Sequence, residues 1–252
     1  MSLAIAYSRS RSGIKAPLVI VEVHIANGLP VLNIVGLPEA AVKESKDRVR
    51  GAIINSQFEF PMQRITVNLA PADIPKEGGR FDLPIALGIL AASGQISKTE
   101  LEKYECIGEL SLGGGLRSVK GVLPVAVQAR EANRALFLPA ENAKEAALVE
   151  NTQLFPAQHL LEICAHLNGQ QLLATDIQKT QSKTATNTAD FADVQGQFHV
   201  KRALEIAATG LHNLLMLGPP GTGKSMLASR FPSILPPLTE AQALESASVI
   251  SI

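Results

Sequence analysis

The chain has 252 residues, of which 46% are hydrophobic and 4% aromatic, and its 23 basic and 23 acidic side chains balance. This composition supplies an aliphatic core for one large domain or two ordinary ones, and the even charge gives no general attraction for nucleic acid. The sequence has no apolar run of roughly 18 residues and no signal-peptide pattern, which excludes a membrane span and leads us to expect a soluble, cytoplasmic protein.

The first 167 residues alternate β-rich runs with helical patterns. Strands are predicted from β-branched content between Gly, Pro and Asn, and helices from the 3.6-residue spacing of apolar positions. The predicted strands are 18–25, 31–36, 64–70 and 135–139, and the predicted helices are 38–56, 82–94 and 122–133. Helix 38–56 places Ala41, Val42, Val49, Ala52 and Ile53 on one stripe. Strands interspersed with helices predict a mixed α/β (α+β) domain over residues 1–167.

A polar segment and a second domain follow. Residues 168–190 are rich in Gln, Thr, Lys and Ser, with too little apolar content to form a core, and are predicted to be a linker. The second domain, 191–252, begins with an amphipathic helix at 198–209, whose inward side chains are Val200, Ala203, Leu204 and Ala207. An apolar strand is then predicted at 214–217 and a helix at 226–231.

The stretch GPPGTGKS lies between that strand and that helix, and it matches the phosphate-binding pattern G-x-x-x-x-G-K-[ST]. Its residues are Gly218, Pro219, Pro220, Gly221, Thr222, Gly223, Lys224 and Ser225. The glycines let the backbone turn tightly with its N–H groups inward. Lys224 is expected to reach the β- and γ-phosphates of ATP, and Ser225 to ligate the Mg²⁺ that accompanies the nucleotide.

Hydrolysis requires an acidic residue at the end of a further strand to help hold Mg²⁺. Only Glu240 and Glu245 follow the loop, and both lie in the polar helical stretch LTEAQALESAS. The sequence therefore predicts nucleotide binding without a complete catalytic site.

The second domain resembles the Mg-chelatase-like AAA+ ATPases of the ComM/YifB family. The similarity lies in D-V-x-G-Q, A-L-E-I-A-A, H-N before the apolar run and L-P-P-L-T after the loop helix, and the N-terminal part fits the family as well. The resemblance implies the first segment of a P-loop AAA+ domain, with Val194 and Gly196 near the adenine. It implies for the intact protein a ring-forming, hexameric ATPase that drives DNA branch migration in competence. We expect the chain to be a shortened form, by design or by truncation of its gene.

A second resemblance concerns the N-terminal domain. NLAPADIPKEGGRFDLPIALGILAASG and IGELSLGGGLRSVKGVLPVAVQAREANRALFLPAEN are similar to the proteolytic domain of Lon, within the ribosomal-protein-S5 domain-2-like fold. That family uses a Ser nucleophile with a Lys base. Arg80 stands at the Ser position and Leu123 at about the Lys position, so the resemblance implies the fold without peptidase activity. An ATP-dependent peptidase and a non-catalytic DNA- or protein-binding module are the alternatives considered.

Other reactive residues form weaker patterns. Ser111 and Lys120 are a conceivable replacement pair without a supporting motif. The charged run Lys76, Glu77, Arg80 and Asp82 is interpreted as a solvated loop, with a contact to a partner or to DNA as the alternative. Helix 38–56 carries Lys43, Lys46, Arg48 and Arg50 beside Glu44 and Asp47, which indicates an exposed face rather than a nucleic-acid surface. His159 and His166 lack zinc spacing, and Cys106 and Cys164 are expected to be buried thiols.

Overall fold

The computed structural model describes residues 2–36, 40–175 and 189–251, leaving aside the side chains of residues 40, 41 and 43. Contacts divide the chain into two units, one of Met1–Lys179 with Leu244–Ile252, the other of Thr180–Ala243. The first unit therefore includes the last nine residues of the sequence, beyond the predicted boundary of the N-terminal domain. Most of the predicted linker, 176–188, lies outside the described residues.

The first unit is built on a seven-stranded sheet with the order β3-β4-β2-β1-β5-β8-β9. The central pairs β1–β2 and β2–β4 are antiparallel and the other four pairs are parallel, so the sheet is mixed and mostly parallel. A short antiparallel hairpin of β6 and β7 accompanies it. The strands are β1 Ser2–Arg9, β2 Leu18–Ala26, β3 Val31–Val35, β4 Arg64–Ala70, β5 Tyr104–Cys106, β6 Glu109–Leu110, β7 Leu116–Arg117, β8 Ala135–Pro139 and β9 Leu154–Ala157.

Helices separate these strands along the chain. Those of the first part are α1 Ala40–Asn55, α2 Asp82–Ala92, α3 Lys98–Leu101, α4 Val122–Glu131, α5 Ala143–Ala146 and α6 Leu160–Leu167. They are followed by α7 Phe198–Gly210, α8 Lys224–Arg230 and α9 Glu240–Ser251. All strands and helices predicted before residue 168 are present with small shifts of their ends, except that residues 38 and 39 of the predicted helix 38–56 lie outside the described residues. The mixed α/β class is confirmed.

The core of the first unit lies against the sheet. Helix α2 is apolar on every side and every one of its residues is buried, because it packs against β1, β2 and α1. Gly88 permits this packing, since a Cβ atom there would lie 2.5 Å from Val23 Cγ2. The predicted stripe of α1 is also buried at Val42, Val49 and Ile53.

The second unit has a smaller core. Phe191, Val194, Leu204 and Leu227 are buried together, and Leu204 comes from the predicted inward face of α7. The predicted strand at 214–217 is wrong: these residues form no strand, and Leu215 is 82% exposed. The physical reason is that a strand requires a hydrogen-bonded neighbour, and the described residues of this unit contain none.

None of the helices that the structure describes combines the length and apolarity required to cross a membrane.

Candidate functional site

The GPPGTGKS loop closes on itself through its own lysine. Lys224 Nζ donates to the carbonyl oxygens of Gly218 and Pro219, each at 2.7 Å, and lies 3.3 Å from Thr222 Oγ1. Thr222 Oγ1 in turn donates to Pro219 O at 3.0 Å. The backbone carbonyl oxygens thus hold the ammonium group inside the loop. An anionic oxygen can accept from the same ammonium group in their place.

Two glycines allow this turn. Gly221 has φ +85° and Gly223 has φ +81°, in the left-handed region that favours glycine. Gly223 also ends the loop and precedes the first residue of α8. Lys224 and Ser225 therefore occupy the first turn of that helix, where Ser225 and the turn residue Pro220 are exposed. The charged and hydroxyl groups that ATP–Mg²⁺ requires are brought together on one short segment.

A cavity of about 550 Å³ lies beside the loop. Gly218, Pro219, Thr222 and Lys224 line it on one side, and the remainder of its wall is mainly apolar. Side chains from α7, from the apolar run before the loop and from α8 form that wall: His199, Val200, Ala203, Leu214, Met216 and Leu227. A polar loop beside an apolar wall has the character of a small-molecule site.

The residues predicted to lie near the adenine, Val194 and Gly196, come shortly before α7. Val194 is 1% exposed within the core of the second unit, and Gly196 is exposed with φ +67°. Neither lines the cavity. Gln197, the last residue of the D-V-x-G-Q run, does line it, and its Nε2 donates to Thr222 O at 3.3 Å. The D-V-x-G-Q pattern in the sequence could have been used to include Gln197 among the predicted site residues. The contact of Val194 and Gly196 with the adenine stays a prediction.

Glu240 and Glu245, the two acids after the loop, are exposed on α9. Neither ends a strand, and neither lines the cavity beside the loop. The strand-terminal acid that hydrolysis requires is therefore not supplied by either residue.

The two positions that we predicted to correspond to the Lon dyad are both buried. Arg80 is 6% exposed and Leu123 is 1% exposed. A guanidinium is not a nucleophile and an alkyl side chain accepts no proton. For the replacement pair, Ser111 Oγ instead accepts from Gly115 N–H at 3.0 Å within the turn before β7, and Lys120 is exposed.

The charged run at 76–82 differs from the solvated loop that we predicted. Lys76 and Asp82 are fully buried and Arg80 is nearly so. Lys76 Nζ donates to Pro71 O, and burial lowers the pKa of this ammonium group. The prediction was wrong because each charge finds a polar partner inside the fold, which sequence spacing does not reveal.

Asp82 is held by the basic face of α1. Arg48 Nε and Nη2 donate to its carboxylate at 2.8 Å and 3.2 Å, and Leu110 N–H approaches it at 3.3 Å. Arg50 is exposed and lies 5.3 Å from the ring centre of Phe60. The exposed face predicted for this helix is therefore interrupted at Arg48.

The histidines of interest have structural partners. His159 caps the N-terminus of α6, where its Nδ1 accepts from Leu161 N–H at 3.2 Å and its Nε2 lies 2.9 Å from Gly113 O. His166 is enclosed by aromatic rings, with Nδ1 accepting from Leu173 N–H at 3.0 Å and Nε2 lying 2.9 Å from Tyr104 OH.

Both cysteines are buried thiols, as predicted. Burial raises the pKa of Cys106 well above its usual range and that of Cys164 to about 12. The two thiols are therefore poor nucleophiles.

Comparison with known proteins places both parts of the chain in one family. A family model described as subunit ChlI of Mg-chelatase matches residues 21–142, and a second, magnesium chelatase subunit ChlI, matches residues 190–252. The chain is 55% identical over its whole length to competence protein ComM of Haemophilus influenzae. It is 54% and 49% identical to the YifB proteins of Salmonella typhimurium and Escherichia coli, which are described as uncharacterized. The chain spans about half the length of these relatives, 50% of each.

Proposed function

The chain belongs to the ChlI family of Mg-chelatase proteins, and we propose that its 218–225 loop binds the phosphates of ATP together with Mg²⁺. The observation that carries this proposal is the position of Lys224. Its ammonium group lies 2.7 Å from two backbone carbonyl oxygens inside the loop, so it is already directed to the space that the loop encloses. Exchange of these carbonyls for phosphate oxygens replaces neutral acceptors with charged ones, which form the stronger hydrogen bonds.

The residues around the loop fit the two other parts of the ligand. The Ser225 hydroxyl is exposed in the first turn of α8, where it is available as an oxygen ligand of Mg²⁺. The apolar cavity beside the loop offers a surface for the base, with Gln197 and His199 as its polar residues. Mg²⁺ partly neutralises the negative charge of the ATP triphosphate, while the residues of the chain bind and orient the nucleotide.

For the intact protein we propose an ATP-driven motor that remodels DNA by branch migration and acts in competence. The support is the relationship to the competence protein ComM and the AAA+ character of the motifs around the loop. A hexameric ring, a cytoplasmic location and a Lon-like, S5 domain-2-like fold of the first 167 residues belong to the same proposal. A peptidase is disfavoured, since Arg80 and Leu123 provide neither nucleophile nor base.

Titration calorimetry with ATP and Mg²⁺ tests the binding proposal. We expect weak, Mg²⁺-dependent binding that Lys224→Ala abolishes, because this substitution removes the cation that faces the phosphates. Arg202→Ala is the matched control, since it removes a positive charge from an exposed position on α7 of the same unit. Tight binding that is indifferent to Lys224→Ala would overturn the proposal.

A further inference from the structure

A second cavity, of about 310 Å³, lies in the first unit and is lined mainly by charged residues. It is bordered by the 77–80 segment, by the 118–120 segment before α4 and by Arg11. Its charged and hydroxyl side chains are Arg11, Glu77, Arg80, Glu109, Ser118 and Lys120, all of the first unit.

Arg80 is the buried member of this set. It is 6% exposed, and its Nη2 donates to Lys120 O. Its Nη1 is buried and has no hydrogen-bond acceptor among the described residues. A buried donor without an acceptor destabilises the fold, and the more so when it is charged. The protein therefore retains an unfavourable group in the wall of a cavity.

The positive charge of Arg80 is also uncompensated. Glu77 pairs with Arg11 at 3.1 Å and Glu109 with Arg117 at 3.5 Å, so each acid lining the cavity has its own arginine. Within the described residues, neither Arg80 nor Lys120 forms an ion pair with a carboxylate. Burial, assisted by the cation of Arg11 and opposed by Glu77, lowers the pKa of Arg80 to about 10, which leaves it charged at neutral pH.

We propose that this cavity binds a phosphate group, either free or as a monoester, through the Arg80 guanidinium in its wall and the Lys120 ammonium at its rim. The Ser118 hydroxyl is a further donor. A tetrahedral phosphate presents oxygens in several directions and so meets donors from different walls, whereas the two oxygens of a carboxylate lie in one plane. This site is separate from the proposed ATP site and does not depend on it.

The test is an NMR titration of the full chain carrying Lys224→Ala, which silences the loop, with inorganic phosphate at constant ionic strength. We expect saturable shifts of the amide signals of Gly78, Gly79 and Gly121. Lys120→Met should weaken binding severalfold, and Arg80→Met by about tenfold or more, because each removes a charge-assisted hydrogen bond. Lys103→Met is the matched control, since this exposed lysine on another surface pairs with Glu100.

Arg80→Met also has an expected effect on stability. Without phosphate the variant should be as stable as its parent, because the substitution removes an uncompensated buried charge. Phosphate should raise the Tm of the parent and leave that of the variant unchanged. If Arg80→Met does not fold, the comparison of phosphate binding by Lys120→Met and Lys103→Met decides whether the cavity is the binding site.

Three results would overturn the proposal. Shifts that rise linearly without saturation indicate an adventitious ion only. If Lys120→Met and Lys103→Met weaken phosphate binding equally, the effect comes from the overall charge of the protein and not from a contact in the cavity. Shifts of the same glycines by a thymidine oligonucleotide, but not by inorganic phosphate, would assign the cavity to a nucleic-acid backbone instead.

Discussion

Asp82 is a buried carboxylate whose ionisation the fold disfavours. Burial raises its pKa to about 6, although Arg48 and the Leu110 N–H oppose this shift. Because the folded pKa exceeds the unfolded one, the folded state binds the proton more tightly than the unfolded chain does. The resulting stabilisation is fully present below the unfolded pKa, near 4, and is lost as the pH rises through about 6.

Asp82→Asn, which cannot ionise, isolates this effect. Between pH 4 and pH 7 we expect the parent to lose about 2 kcal/mol of unfolding free energy relative to the variant, at about 1.4 kcal/mol per pKa unit and with part of the stabilisation already lost at pH 4. Urea unfolding across this range measures the difference. Asp47→Asn, at an exposed position on α1, is the control and should track the parent. A pH-independent difference between the parent and Asp82→Asn would contradict the prediction.

The residues around Asp82 show why the interior of this loop could not be predicted. In the sequence Lys76, Arg80 and Asp82 form a charged run beside two glycines, which is typical of a solvated turn. Their partners are Pro71 O, Lys120 O and Arg48, and the last two lie 40 and 34 residues away. That the groups of the 218–225 loop lie close together was predictable, because they occupy eight consecutive residues.

The junction between β1 and β5 depends on one buried carboxylate. These parallel strands pair at Tyr7 and Glu105, and Glu105 is fully buried. Arg9 binds it in bidentate fashion at 2.6 Å and 2.7 Å, and Arg134 Nη1 lies 3.8 Å away. The ion pair therefore connects the antiparallel centre of the sheet to its parallel edge.

Glu105→Ala should weaken this junction strongly. Removing one partner leaves the Arg9 cation buried and unpaired, which we expect to lower the free energy of unfolding by about 3–5 kcal/mol. Glu100→Ala removes an exposed pair with Lys103 and should change it by less than about 1 kcal/mol. Chemical denaturation of the two variants makes the comparison. Similar losses in both would show that the buried pair has no special role.

Most elements of five residues or more were predicted from their pattern, although the eight-residue strand β1 was not, and the shortest strands were missed. Helix α1 and strands β2 and β4 follow from apolar spacing and β-branched residues. Strand β5 has three residues, and β6 and β7 have two each, so none carries a detectable alternation. At residues 214–217 a strand was predicted from a strong β propensity but is absent, because a strand also requires a hydrogen-bonded partner.

At the scale of the whole molecule, the two units differ in the size of their cores. The main cluster of the first unit joins helices α1, α2 and α6 to the sheet, whereas the core of the second unit contains four buried side chains. Few buried contacts permit opening at low free energy. We expect amide hydrogens of α7 to exchange with solvent faster than those of β2, as measured by mass spectrometry. Equal protection of the two would contradict this.

Nucleotide binding should alter this pattern in one unit. A ligand that binds only the folded state stabilises it by about 1.4 kcal/mol at tenfold excess over Kd. ATP with Mg²⁺ should therefore slow exchange in α7 and α8 by about tenfold, leave β2 unchanged, and have no effect after Lys224→Ala. Phosphate release should stay at background, because Glu240 and Glu245, the two acids after the loop, are exposed on a helix and neither ends a strand. Protection without turnover would separate binding from hydrolysis, whereas turnover that requires Lys224 would mean that the 252-residue chain itself supplies the acidic residue for hydrolysis.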